Sequence, residues 1–423
     1  MKKEKWMIEE IASWQRLALV DDETAIKLKE RYLAKKNTGL ITILFSVIGA
    51  LLIGAGVILI GARNWALFPF PLRVGIAFLP LIVSQALAVY TVNRKYHSLA
   101  WRESVAILVA ASVFAANALV GQLYHLPGDF GEYLLACGLL SLPMLYILDA
   151  ASPLIVYYWA ILHWAALESA LADTAVLLGL FAIGALFVYL RREEKGARAA
   201  YMAWVTAAAG FALTLVMGAM WETSLLLAAL CYFVLLLSLT ERLPEQFFTP
   251  FRFAGVAGGF AVTAILTYED MWMSWGDWAT AGGGVMVGSM LAAALFFTAR
   301  IYRRDKLKFF FILSLLLLCV LRLIWAMYPV NEPQSAFAPV VISNFVMFAI
   351  GVGFIMYGVK HMALLQTNIG MTAICALIVM RFFDSDMDFL WRGVVFVLAG
   401  TAFFLVNARI LHTKKRAGRE GAI

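Results

Sequence analysis

Residues 39–75 read GLITILFSVIGALLIGAGVILIGARNWALFPFPLRVG. The first 22 of these, Gly39 to Ile60, carry no charge. As a helix rising about 1.5 Å per residue, such a run is long enough to cross a hydrocarbon core about 30 Å thick. The run stops at Arg63, Asn64 and Trp65, and Phe68 and Phe70 alternate with Pro69 and Pro71 before a second apolar run begins. Proline lacks the N–H a helix interior needs and clashes with the preceding turn. Aromatic rings with polar neighbours suit the headgroup zone. The stretch is a membrane hairpin: span, interfacial turn, span. The turn itself does not require Asn64.

The rest of the chain repeats this pattern. Only 14% of the 423 residues are charged and 63% are hydrophobic, with a mean hydropathy of +0.84. That is too little charge to cover a soluble protein of this size. Apolar runs at roughly 39–62, 73–92, 103–123, 131–149, 152–169, 173–190, 201–220, 223–240, 251–268, 277–299, 309–328, 337–359, 364–383 and 389–407 predict an all-α, polytopic transmembrane bundle of about fourteen spans. This divides the chain into a cytoplasmic helical hairpin (1–38), four spans (39–150), ten further spans (151–407) and a basic cytoplasmic tail (408–423).

Charge sets the expected orientation. With the N-terminus inside, 29 of the 34 Lys and Arg fall in inner segments; Arg63, Arg73, Arg322, Arg381 and Arg392 remain. The positive-inside rule asks for such a split, so both termini are expected in the cytoplasm of a bacterial cell, with the protein in its cytoplasmic membrane. Acids gather at the other face, among them Asp129, Glu132, Glu222, Glu269, Asp270 and Asp384. Solvation of short outer turns explains them, and so does a cation-attracting vestibule. The net charge of +7 sits in short loops, so no nucleic-acid partner is expected. Residues 1–38 lack the apolar core of a secretory signal.

Within residues 3–36, Met7, Ile11 and Trp14 recur at helical spacing, and Asp21 is placed to cap a second helix on which Ile26 and Leu33 face the first. The pair reads as a docking site for a cytoplasmic protein, as an amphipathic element on the inner leaflet, or as a lead-in to span one.

Ionisable and amide groups at membrane depth are costly, so they pair or line a cavity. Arg322 lies roughly 20 Å along its helix from the inner end, at about 1.5 Å per residue. Asn117, His163 and Asn344 share that outer half; Gln122, His125, Glu168, Arg381 and Arg392 lie near the outer boundary. With Asn64 and Asp384, these residues mark an expected substrate pathway: a polar chamber opening outward above apolar packing. The competing reading is that each group pairs with a neighbouring helix, Arg322 with Glu168 or Asn344 for instance. His125, Asp129 and Glu132 share one loop but do not make a convincing metal set. Asp384, Asp386 and Asp388 start like a calcium loop yet lack its later Gly and Glu, and pairing with Arg381 and Arg392 is expected instead. Gly282, Gly283, Gly284 and Gly288, like Gly255, Gly258 and Gly259, predict close helix packing rather than a phosphate loop. The four cysteines fall alone in separate runs and read as apolar fillers. No metal or cofactor is expected.

The charged N-terminal pair, the span ending in Asn64-Trp65, the Gly121-Gln122-x-Tyr124-His125-Leu126-Pro127-Gly128-Asp129 run and the late Arg381-Phe-Phe-Asp384 and Arg392-Gly393 resemble bacterial membrane proteins grouped as domain of unknown function 2157. The resemblance is best over the first 150 residues or so. It places Asn64, Gln122, His125 and Asp384 at motif positions and implies no activity. Members commonly carry an acid after the Asn-Trp pair; Ala66 stands there, so no role for that acid carries over.

Three functions fit. Short loops and many spans suit a transporter or a translocase of a small-molecule or lipid-linked substrate; with no Walker motif, it would draw on an ion gradient or run downhill. A scaffold or sensor would signal through residues 1–38. A membrane-embedded transferase fits less well, because the first outer loop has no acid and no loop is large.

Overall fold

The computed structural model describes residues 10–17, 19–26, 28, 65–167, 174–194, 196–240, 245–273, 281–301, 305–326, 336–384, 397 and 401. The chain forms two units, Met1–Ile76 and Ala77–Ile423. In the first, residues 10–16 and 22–26 are helical. Asp21 caps the second of these, its carboxylate accepting from Thr24 N at 3.2 Å. Gln15 donates to Asp22 across the pair at 2.6 Å. Ile11 and Ala25 are buried, whereas Ile26, expected to pack inward, is exposed. Leu33 and Met7 lie outside the described residues. Trp65–Leu67 forms a single tight turn, and Arg73 folds back to donate to Phe68 O at 2.7 Å. The next helix, α1 (Phe70–Tyr90), starts before Pro71. A proline is tolerated in a first turn, where its N–H would have had no partner.

The remaining helices are α2 (Leu99–Tyr124), α3 (Phe130–Ser141), α4 (Pro143–Ile147), α5 (Pro153–Leu167), α6 (Thr174–Leu190), α7 (Ala197–Met220), α8 (Leu225–Leu239), α9 (Glu245–Ile265), α10 (Asp270–Met273), α11 (Ala281–Ile301), α12 (Lys306–Ala326), α13 (Phe337–Lys360) and α14 (Leu364–Asp384). There is no strand among the described residues. Among the described residues, seven helical stretches are long and apolar enough to cross a membrane, including 130–147, where Pro143 divides α3 from α4, and four shorter apolar helices lie within α5, α6, α8 and α11. Each predicted span inside the described residues coincides with a helix; run 39–62, and run 389–407 apart from residues 397 and 401, lie outside them. This is a helical membrane protein with several spans.

Its helices run alternately up and down. One end carries Arg102, Arg191, Arg198, Lys308 and Lys360, and is called basic below; the other carries Glu222, Glu269 and Asp270. α8 is the hub, packed by α7, α9, α11 and α12. Eleven of its fifteen residues are buried, so its sequence is apolar all round. Peripheral helices instead expose Ile82, Val89, Leu178 and Leu186, a girdle suited to lipid rather than water.

Small residues set the closest approaches. A Cβ on Gly258 would lie 2.2 Å from the Phe233 ring, and one on Gly283 would lie 2.0 Å from Thr223 Oγ1. Gly288, expected to pack, has nothing within 4 Å of such a Cβ. Between α13 and α14 the neighbour is backbone: a Cβ on Gly370 would meet Gly351 O at 2.4 Å. Backbone cannot step aside as a side chain does. Gly370→Ala should therefore lower the melting temperature of the purified protein by the equivalent of about 1–3 kcal/mol. Gly179→Ala, which meets open space, should be neutral or stabilising through better helix propensity.

Candidate functional site

At the far end from the basic turns, polar side chains converge on residues 266–273. Arg322 is 2% exposed. Its Nη1 donates to Trp272 O at 3.1 Å and its Nε to Ser224 Oγ at 3.4 Å, and the guanidinium lies 5.4 Å from the Trp272 ring centroid. Trp325 Nε1 donates to the same Trp272 carbonyl at 3.0 Å. One turn earlier, Asn344 Nδ2 donates to Thr267 O at 3.3 Å and Arg381 Nη2 to Thr267 Oγ1 at 3.2 Å. Arg381 also lies over the Tyr268 ring, 4.8 Å from its centroid. These bonds tie the ends of α12, α13 and α14 to the turn after α9 and satisfy backbone carbonyls that a helix end leaves open.

Arg322, Asn344 and Arg381 are thus brought together, as packing ties around one turn. The other expected pathway residues are not gathered there. Asn117 donates from α2 to Cys137 Sγ on α3 at 3.3 Å. His163 is exposed, with its Nδ1 2.9 Å from Trp159 O one turn back. Gln122 is exposed on α2. His125 is exposed as well and closes α2 in a left-handed conformation, φ 50°. Asp129 caps α3, accepting from Glu132 N at 2.8 Å. Asp384 ends α14. Asn64, Glu168 and Arg392 lie outside the described residues, as do Asp386 and Asp388. Among the described residues, no three His, Cys, Asp or Glu side chains come together as a metal site would need.

Sequence reasoning placed little at the basic end, yet two features stand there. The first is an ionic knot. Glu103, in the first turn of α2, accepts from Ala151 N at 2.9 Å and Ser152 N at 2.7 Å, capping α5 from another helix. Arg198 of α7 donates to Glu103 at 3.0 Å, to Glu194 at 2.7 Å and to Asp149 O at 2.7 Å. Asp149, left-handed at φ 46°, pairs with Arg102 at 2.6 Å and with Arg191. Burial pushes the Asp149 carboxyl up, but hydrogen bonds from Arg102 and Arg191 and the charges of Arg191 and Arg198 outweigh it and hold the group below its ordinary 3.8. The knot ties four helices whose members are up to 95 residues apart.

The second is a cavity of about 250 Å³ between α8, α9, α12, α13 and α14. Phe311 and Phe354 wall it; Thr249, Arg252, Lys308 and Gln366 supply its polar atoms. Lys308 is 5% exposed, and its ammonium donates to Thr240 Oγ1. Arg252 stands 4.0 Å from Asp305, which caps α12 by accepting from Lys308 N at 3.0 Å. Among the described residues that line the cavity there is no acid. The signal in sequence is KLKFFF, residues 306–311, where Lys308 stands among apolar neighbours, although charge counting alone assigns it to a loop.

Residues 12–154 match the family model of a predicted membrane protein, DUF2157. The DUF2157 match takes in the Asn64-Trp65 turn, the 121–129 run and the knot residues Arg102, Glu103, Asp149 and Ser152. It ends before the cavity and before the 381–393 signature. No curated protein and no solved structure matches the chain.

Because the folded carboxyl is depressed, the stabilisation from Asp149 is present above pH 3.8 and is lost as pH falls toward the lower folded value. Asp149→Asn should cost about 2 kcal/mol near neutrality, allowing for its partial exposure. Melting curves of wild type and variant should converge as the pH is taken down through the carboxylate range.

Proposed function

We propose that the chain is a transporter or lipid-linked-substrate translocase of the bacterial cytoplasmic membrane. It threads about fourteen times with both termini inside, and is described here in its inward-open arrangement. The observation that carries this reading is the cavity at the basic end. The positive-inside rule assigns that end to the cytoplasm. At the opposite ends of the same helices, Arg322, Asn344 and Arg381 hold the turn at 266–273 shut. A pocket open at one end of a bundle and tied at the other is what alternating access requires of one of its two states. The expected outward chamber becomes, in this proposal, the other state, reached when those three ties release.

Single cysteines in a background without native ones test this. In right-side-out vesicles, an impermeant maleimide should label Asp129→Cys promptly. Gln366→Cys should be labelled only in inverted vesicles. Asn344→Cys should react slowly from outside, and faster once an ion gradient is imposed. If Asn344→Cys stays unlabelled under every gradient while the protein is folded, transport is excluded. A scaffold acting through the helix pair at residues 10–28 would then take its place.

A further inference from the structure

We infer that the basic-end cavity is a binding site for the hydrocarbon chain of a membrane lipid, entered sideways from the inner leaflet, with the headgroup left outside. The inference rests on reading the cavity as the working pocket, and it selects the lipid-linked class of substrate.

The charges at the cavity are already matched within the protein: Lys308 donates to Thr240 Oγ1, and Arg252 pairs with Asp305 at 4.0 Å. What remains for a ligand is apolar. Eight of the twelve described lining residues are apolar, among them Leu237, Val256, Phe311, Phe354 and Ile369. At about 250 Å³, the space exceeds an apolar cavity of about 150 Å³ that stays dry and takes up benzene. Lining atoms that face a void forgo dispersion contacts, and a methylene chain restores them without needing a polar partner. Depth and access fit a lipid. Phe354 lies six residues in from Lys360, the end of α13, which is about 9 Å at a rise of about 1.5 Å per residue. That is past a headgroup layer of about 6 Å on each side of the bilayer. The wall reaches the outer surface at Phe253 and Leu365, which are 64% and 69% exposed. Large apolar side chains so exposed on a membrane protein meet lipid rather than water, so acyl chains stand at the mouth.

The full-length protein is placed in phosphatidylcholine nanodiscs doped with phosphatidylcholine carrying a mid-chain diazirine, irradiated, and mapped by peptide mass spectrometry. Carbene insertion should appear at Phe311 and Phe354, both buried, as well as at the exposed Ile82 and Leu178. Val256→Trp should lower labelling of the two phenylalanines about tenfold, the change expected when two methylenes are excluded. Labelling of Ile82 and Leu178 should stay as it was. Ile369→Phe is a smaller intrusion that keeps the test open should Val256→Trp fold poorly; it should lower the labelling about fourfold, as for one methylene. Phosphatidylglycerol with the same diazirine chain should label the same residues to the same extent, because the headgroup stays outside. Insertion confined to exposed positions, or insertion at Phe311 indifferent to both variants, overturns the site. Insertion at Phe311 from phosphatidylglycerol alone overturns the hydrocarbon chain as the recognised group and leaves a headgroup site. Insertion at Phe311 without outward labelling of Asn344→Cys would sink the transport reading and leave this inference standing. Outward labelling with no insertion at Phe311 would do the reverse.

Discussion

Hydrocarbon offers a peptide group no hydrogen-bond partner, and the architecture follows from that. Each backbone N–H and C=O within the apolar girdle must be satisfied inside its own helix, since an unmet group costs several kcal/mol by general estimates. The helices therefore form first on local grounds, and the difficulty moves to their ends. There the first N–H groups and last carbonyls have no helical partner. This chain meets them with side chains from far and near: Glu103 of α2 on the start of α5, and the adjoining Asp129 on α3 and Asp305 on α12. At the other side, Arg322 and Trp325 meet the Trp272 carbonyl and Asn344 meets that of Thr267. Polar residues in this protein serve helix ends before they serve anything else.

The two ends of the bundle solve the same problem with different chemistry. At the basic end, full charges pair: Asp149 and Glu103 against Arg102, Arg191 and Arg198. Water and headgroups are close there, so each charge stays partly solvated and the knot costs little to assemble. At the acidic end, arginine meets neutral carbonyls, hydroxyls and the rings of Trp272 and Tyr268.

Between these ends, packing does the work of cohesion. Lipid tails are as apolar as leucine, so burial alone does not drive spans together, and close contact has to supply the attraction. Glycines at the α13–α14 and α8–α9 contacts allow it. Cys231 on α8 and Cys319 on α12, 88 positions apart in the chain, are both fully buried in the same core.

Hydrophobic run length and charge placement needed only the sequence. The runs located helices such as α2, α7 and α13 to within a few residues, because an apolar stretch of span length has one low-energy conformation in lipid. Asp21 was legible for a related reason: a cap acts within three residues of itself. The N-terminal match, centred on Gly121 to Asp129 and the Asn64-Trp65 turn, was legible as local pattern too. What the sequence could not show were partners. Arg322 on Trp272, Arg381 on Thr267 and Lys308 on Thr240 join residues 50, 114 and 68 positions apart. No periodicity encodes which helix lies beside which. Depth along a span could be read, so Arg322 and Asn344 were placed in the outer half and Arg381 near the outer boundary. Azimuth around the helix could not, so His163 and Gln122 were expected to face inward and instead face out. The cavity at Lys308 exists only because five helices converge there, and that convergence is a product of side-chain fit in three dimensions.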